Sequence, residues 1–205
     1  MASPPIDLRG KSFPVTLDLP QDDPRFVSRV YGSDLSEILW HKEDVDGKPG
    51  IGTRIQQMGT DILNNGDDEI YAVCMLDGAM PFYVWLLYSS PMANVPVVFK
   101  TTKVDSGYEG TVSVRPPKVS GADFSDAKGK RVIIIDDIAD TRRSMHVLEK
   151  IIGAYDPKSI EKALMLNKPS RMIVDLKLDY VGATIDDKFV VGQGLDFDRR
   201  YRGLQ

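Results

Sequence analysis

The sequence predicts an α/β fold, one twisted and mainly parallel sheet flanked by helices. Three observations carry that expectation. Val132-Ile133-Ile134-Ile135 is an unbroken β-branched run, the mark of a strand buried on both faces, as parallel sheets require. Apolar residues at helical spacing follow it, with Met145, Leu148, Ile151 and Ile152 leading to Gly153 as a stop. An earlier strand, glycine turn and apolar helix give the same order, so the chain alternates β and α.

Taken from the start, Met1 to Leu19 is proline-rich and reads as an N-terminal arm. Ser33 to Asn64 reads as helical, with Leu35, Ile38 and Leu39 and then Ile51, Ile55, Met58 and Ile62 near a 3.6 period. Ile70 to Leu76 is a buried strand, Asp77-Gly78-Ala79 a turn, and Pro81 opens a helix through Leu87. A further strand is expected at Val95 to Phe99. Between Lys103 and Lys130 the chain carries Gly107, Gly110, Gly121, Pro116 and Pro117, with one short β-like piece at Thr111 to Val114, so this interval reads as a lid loop. Ala163 to Leu166 and Asp179 to Ala183 are the remaining strand segments. Ligands in such sheets sit at the carboxyl ends of the strands.

Composition bounds the function. The 205 residues, 42% of them hydrophobic and without repeats, fit one globular domain over 1–205. A net charge of -4 and a pI near 5.2 argue against nucleic-acid binding. Cys74 is the single cysteine, which excludes an internal disulfide and suits a reducing cytoplasm. No run approaches the ~20 apolar residues of a membrane span, and the start lacks the pattern of a secretion signal.

The chemistry concentrates at 136–144. Asp136 and Asp137 stand where the strand should end, adjacent carboxylates able to chelate vicinal hydroxyls or a hydrated Mg²⁺. Asp140 is placed to act as a base. Thr141, Arg142, Arg143 and Ser144 lie at a helix start, where hydroxyls, guanidinium groups and free backbone N–H groups hold phosphate, and Thr141 or Asp140 can cap. That set suits a phosphorylated sugar. Aspartyl phosphatase chemistry would need a second Asp where Ala139 stands, and neither a Walker loop nor a dinucleotide-binding glycine motif is present.

This segment resembles the phosphoribosyl-pyrophosphate-binding motif of type I phosphoribosyltransferases. Lys168, then Phe189-Val190-Val191-Gly192, then Leu195-Asp196-Phe197 and Arg202 follow as in the purine-salvage branch, the hypoxanthine-guanine phosphoribosyltransferases. The resemblance spans about Ile70 to Gly203. It implies the type I fold, with a small hood from the N- and C-terminal segments and a purine-binding C-terminal part over 168–205. It also implies transfer of ribose 5-phosphate from phosphoribosyl pyrophosphate to N9 of a 6-oxopurine, giving IMP or GMP and pyrophosphate, with Mg²⁺ as cofactor. In that scheme Asp136, Asp137, Ala139, Thr141, Arg142, Arg143, Ser144, Asp77, Gly78 and Arg202 hold phosphoribosyl pyrophosphate. Asp140 is the catalytic base, Lys168, Phe189, Val190 and Asp196 hold the purine, and Asp196, Asp136 and Asp137 meet the metal. A homodimer or homotetramer in the cytoplasm is implied as well.

The chain departs from the family in two places. Asp77 stands where Lys or Arg usually precedes the glycine of the pyrophosphate loop, and Arg142 where Gly usually follows the motif Thr. The expectation for Arg142 is that its guanidinium pairs with the 5′-phosphate. These departures keep open a non-catalytic nucleotide-binding or regulatory protein on the same fold, and a purely structural domain.

Overall fold

The computed structural model describes residues 44, 47–66, 68–106, 108–109, 112–113, 115–121, 123–196 and 201–203. The predicted arm, Trp40, His41 and Phe197 lie outside these residues. The sheet contains β1 (Ile70–Leu76), β2 (Val97–Asp105), β5 (Lys118–Ser120), β6 (Arg131–Ala139), β7 (Ser159–Asn167) and β8 (Tyr180–Thr184), in the order β5-β2-β1-β6-β7-β8. All neighbours pair parallel except β5, which runs antiparallel on β2. The short β3 (Tyr108–Glu109) and β4 (Val112–Ser113) form a separate antiparallel pair.

Both faces of the central strands are covered, which is why they read as continuous apolar runs. Tyr71, Val73, Val132 and Ile134 pack with Met145, Leu148 and Ile152 of helix α3 (Arg143–Gly153). The alternate residues Ala72, Cys74, Ile133 and Ile135 are fully buried too. Helices α1 (Ile51–Asn64) and α2 (Met80–Ser89) pack together, and α2 also packs on β1 and β6. Burial, with the nearby Asp136 and Asp137 charges, pushes the Cys74 thiol up to about 12.

Several boundaries differ from the sequence expectation. The predicted helix from Ser33 does not run through to Asn64, because Gly50 is extended at ψ 175 with its N–H on Asp44 Oδ1 at 2.8 Å, and α1 starts only at Ile51. Strand β6 continues past the carboxylates to Ala139, held by pairing of Asp136 with Leu164 and of Ala139 with Asn167. The interval 103–130, expected as a lid loop, is not loop throughout. Lys103 to Asp105 belong to β2, Lys118 to Ser120 pair with them, and Phe124 and Ala127 are fully buried in the core.

One charged network sits in the apolar sheet, at the amino ends of its strands. Arg131, 1% exposed, grips Glu161 of the neighbouring strand with Nε to Oε1 at 2.7 Å and Nη2 to Oε2 at 2.6 Å. Its Nη1 donates to Ile62 O at 2.8 Å, reaching the end of α1, and Tyr180 Oη donates to Glu161 Oε2 at 2.6 Å from β8. Arg54 of α1 bonds the carbonyls of Val181 and Gly182, which blunts the β8 edge.

Removing one partner of such a pair strands a buried charge. Glu161→Ala should therefore destabilise the fold by about 3–5 kcal/mol. At 2–4 °C per kcal/mol for a chain of this size, the melting midpoint should fall by roughly 6–20 °C in a calorimetric scan. Burial pushes the Glu161 carboxyl up, but the hydrogen bonds from Arg131 and Tyr180 and the Arg131 charge outweigh it and hold the group below its ordinary value. A carboxyl held low stabilises the fold above its unfolded value of about 4.3 and loses that contribution as pH falls through its lowered value. The stability of Glu161→Ala should accordingly fall less steeply with acid than that of the parent chain.

Candidate active site

From β1 the chain steps one way to β2, whereas β6, β7 and β8 step the other way, so the strand order switches between β1 and β6. A switch point opens a crevice at the carboxyl ends of the two strands. There a cavity of about 650 Å³ is lined by Leu76 and Gly78 at the end of β1 and just after it, by Asp136 to Arg142 and Ser144 from the end of β6 into α3, and by Lys168 after β7. Phe189, Val190 and Asp196 close its far side.

Asp136 and Asp137 lie half-buried within the last residues of β6. Burial and the adjacent Asp137 push Asp136 well above the carboxylate range. Burial raises Asp137 as well, offset by the Ile138 N–H at 2.8 Å and the Arg202 charge. A pair of adjacent carboxyls can accept hydrogen bonds from vicinal hydroxyls.

The phosphate-type loop is built differently from the expectation. Neither Thr141 nor Asp140 caps α3; the capping position is Arg142, in the left-handed region at φ 62 and ψ 4, with no side-chain cap. The first N–H groups of α3 are left facing the loop, since the earliest bond within it runs from His146 N to Arg142 O at 3.0 Å. The loop is braced from below by the segment after β7. Ile173 N and Val174 N both donate to Thr141 O at 3.3 Å, and the Arg142 guanidinium donates to Leu176 O at 2.9 Å and Asn167 Oδ1 at 3.1 Å.

Lys168 N donates to Ala139 O at 2.9 Å, which sets the Lys168 backbone beside the loop. The Lys168 side chain is only 10% exposed. Phe189, in contrast, is 73% exposed and lies outside the core. Two cavity residues were not singled out from the sequence. Arg171 Nε donates to Asp140 Oδ1 at 3.1 Å, and Asp187 Oδ1 lies 3.9 Å from Arg171 Nε and 4.0 Å from Lys168 Nζ. Arg171 follows Lys168 by three residues, a spacing that could have flagged it.

A tight turn joins the C-terminal part to the loop after β1. Gly194 has φ +103, and a Cβ there would lie 1.9 Å from Gly78 O, so the backbones touch. A Cβ on Gly78 would in turn lie 1.8 Å from Asp137 Oδ2. Arg202 fixes the turn, with Nη1 on Gly194 O at 2.5 Å and Nη2 2.8 Å from Asp196 Oδ1. Asp196 is thus paired with a cation, and among the described residues no three acidic, His or Cys side chains converge as a metal cage. The expected set of Asp136, Asp137 and Asp196 does not form one cluster.

With this geometry in view, the family model described as the phosphoribosyl transferase domain matches residues 43–198. The chain belongs to this family. It is 33% identical to the hypoxanthine phosphoribosyltransferase of Salmonella typhimurium over 157 residues, covering 75% of the chain and 86% of that relative. Identity to the human hypoxanthine-guanine phosphoribosyltransferase is 30% over 161 residues, 75% of the chain and 74% of that relative. Among solved structures, a Staphylococcus aureus hypoxanthine phosphoribosyltransferase superposes with a TM-score of 0.73 at 27% identity, covering 83% of this chain and 89% of that one. The Trypanosoma cruzi hypoxanthine phosphoribosyltransferase in complex with IMP gives 0.69 at 28% identity, covering 82% and 89%. The family is the purine-salvage branch of the type I phosphoribosyltransferases.

Both departures from the family pattern have a structural account. The Asp77 carboxylate lies 3.6 Å from Lys103 Nζ, and neither residue lines the cavity, so the anion is turned toward the outer end of β2. Arg142 keeps the left-handed backbone that a glycine would adopt, at a cost of about 1–2 kcal/mol. Its guanidinium does not face the phosphate loop, as the sequence suggested, but is taken up by Leu176 O and Asn167 Oδ1. Arg142→Ala should therefore act on stability. Loss of two hydrogen bonds should cost about 1–3 kcal/mol, lowering the melting midpoint by roughly 2–12 °C. Titration with phosphoribosyl pyrophosphate should give affinities within about threefold of the parent, because the backbone cradle is retained.

Proposed function

We propose that this phosphoribosyltransferase moves ribose 5-phosphate from phosphoribosyl pyrophosphate to N9 of a 6-oxopurine, hypoxanthine or guanine, yielding IMP or GMP and pyrophosphate. The observation that carries the reading is that one cavity gathers adjacent carboxylates, the start of a helix, a nearly buried ammonium and an exposed aromatic residue.

In this scheme the backbone of Ala139 to Ser144, with the Thr141 and Ser144 hydroxyls and the α3 dipole, holds the 5′-phosphate. Asp136 and Asp137 hold the ribose hydroxyls and, once ionised, favour positive charge on the ring. Gly78 and Arg202 meet the pyrophosphate. Phe189 stacks on the purine, Lys168 donates to O6, the Val190 backbone meets the base edge, and Asp140 accepts the N7 proton as N9 attacks. Carboxylate oxygens suit Mg²⁺, which one or two of Asp136, Asp137 and Asp196 would hold together with pyrophosphate oxygens and water. When bound it neutralises charge on the leaving group. A homodimer or homotetramer in the cytoplasm belongs to the same proposal; no helix among the described residues is long and apolar enough to cross a membrane.

The direct test is nucleotide and pyrophosphate formation from phosphoribosyl pyrophosphate with hypoxanthine, guanine and xanthine in parallel. No product with any of them would overturn the assignment. Asp140→Asn should lower kcat about 10²-fold or more while IMP binding stays within a few-fold, as loss of a general base requires. Lys168→Ala should raise KM for the 6-oxopurine more than KM for phosphoribosyl pyrophosphate. Equal changes in both constants would move Lys168 off the base site.

A further inference from the structure

We infer that Arg171 and Asp187 are positioning residues, aiming the Asp140 carboxylate and the Lys168 ammonium at the two edges of one purine. The inference rests on the function proposed above and concerns residues to which that scheme gives no task.

Pro169 starts a single 3₁₀ turn over Pro169–Arg171, closed by Arg171 N on Lys168 O at 3.2 Å. That turn folds the Arg171 side chain back toward β6. Its Nε donates to Asp140 Oδ1 at 3.1 Å, and Oδ2 accepts no hydrogen bond among the described residues. One carboxylate oxygen is thereby anchored and the other left for a ligand proton, the arrangement in which a third group orients a base.

Asp187 completes the set from the opposite strap. Its Oδ1 sits between Arg171 Nε at 3.9 Å and Lys168 Nζ at 4.0 Å. A nearly buried ammonium needs an anion within reach, and among the described residues Asp187 is the carboxylate in ion-pair range of Lys168. The four side chains alternate in sign as Asp140, Arg171, Asp187 and Lys168, and all four line the cavity. Their charges cancel, so this cluster suits a neutral ring. Asp187 also precedes Phe189 by two residues, so this contact lies on the segment that carries the aromatic ring.

Steady-state kinetics on the full chain tests this, with Arg171→Gln, Arg171→Lys, Asp187→Asn and the double variant Asp140→Asn/Arg171→Gln. Arg171→Gln should lower kcat about 10-fold or more with KM for phosphoribosyl pyrophosphate within threefold, and Arg171→Lys should restore most of the loss. In the double variant the Arg171 change should add little to the loss from Asp140→Asn, because residues acting through one group are not additive. Asp187→Asn should raise KM for the purine about 5-fold or more with a smaller change in kcat. Melting midpoints should stay within about 3 °C of the parent, since part-exposed pairs contribute little to stability. Unchanged kcat in Arg171→Gln, or fully additive losses in the double variant, would overturn the inference while an active parent chain leaves the proposed function standing. A parent chain that forms no nucleotide overturns both.

Discussion

The structure depends on one buried contact, the two-pronged grip of Arg131 on Glu161. It sits where β6 and β7 begin, and it gathers the end of α1 and the start of β8 through Ile62 O and Tyr180. Charges cost too much to bury unless their partners are placed well, so the pair tolerates one alignment of the strands and penalises others. Alignment matters here because a slip of one residue would send every side chain of β6 to the opposite face. Asp136, Asp137 and the Asp140 loop at the far end of that strand are where they are because its beginning is fixed.

The second constraint acts at the other end of the sheet, where backbone touches backbone at Gly78 and Gly194. Arg202 and Asp196 lie on that turn, while Asp137 packs against Gly78 itself. Groups from three distant parts of the chain thus share one rigid corner of the cavity.

Much of this was legible in the sequence, for physical reasons. β1 and β6 stood out because a strand segment buried on both faces reads as a continuous apolar run, and the strand–turn–helix order pointed to ligands at the carboxyl ends of a parallel sheet. The misreadings also have physical causes. Asp136 and Asp137 looked like a strand end, but pairing with β7 holds the backbone extended through Ala139. Arg142 looked like a phosphate ligand, yet its partners Asn167 and Leu176 come from the end of the next strand and the segment after it, and no local pattern encodes them. Arg131 and Glu161 would pass for surface residues from composition alone. Arg171 was overlooked because its reach to Asp140 follows from a short 3₁₀ turn rather than from any periodic signal.

The placement of Cys74 turns the protein into its own reporter. It is the single cysteine of the chain, fully buried at the middle of the central strand, and the neighbouring burial and charge keep its thiol protonated at neutral pH. A thiol-specific dye can then react only while the sheet is open, and the labelling rate measures the free energy of that opening under native conditions. Ligands that bind the closed fold should slow labelling in proportion to their affinity, so binding can be followed at one atom without adding a foreign probe.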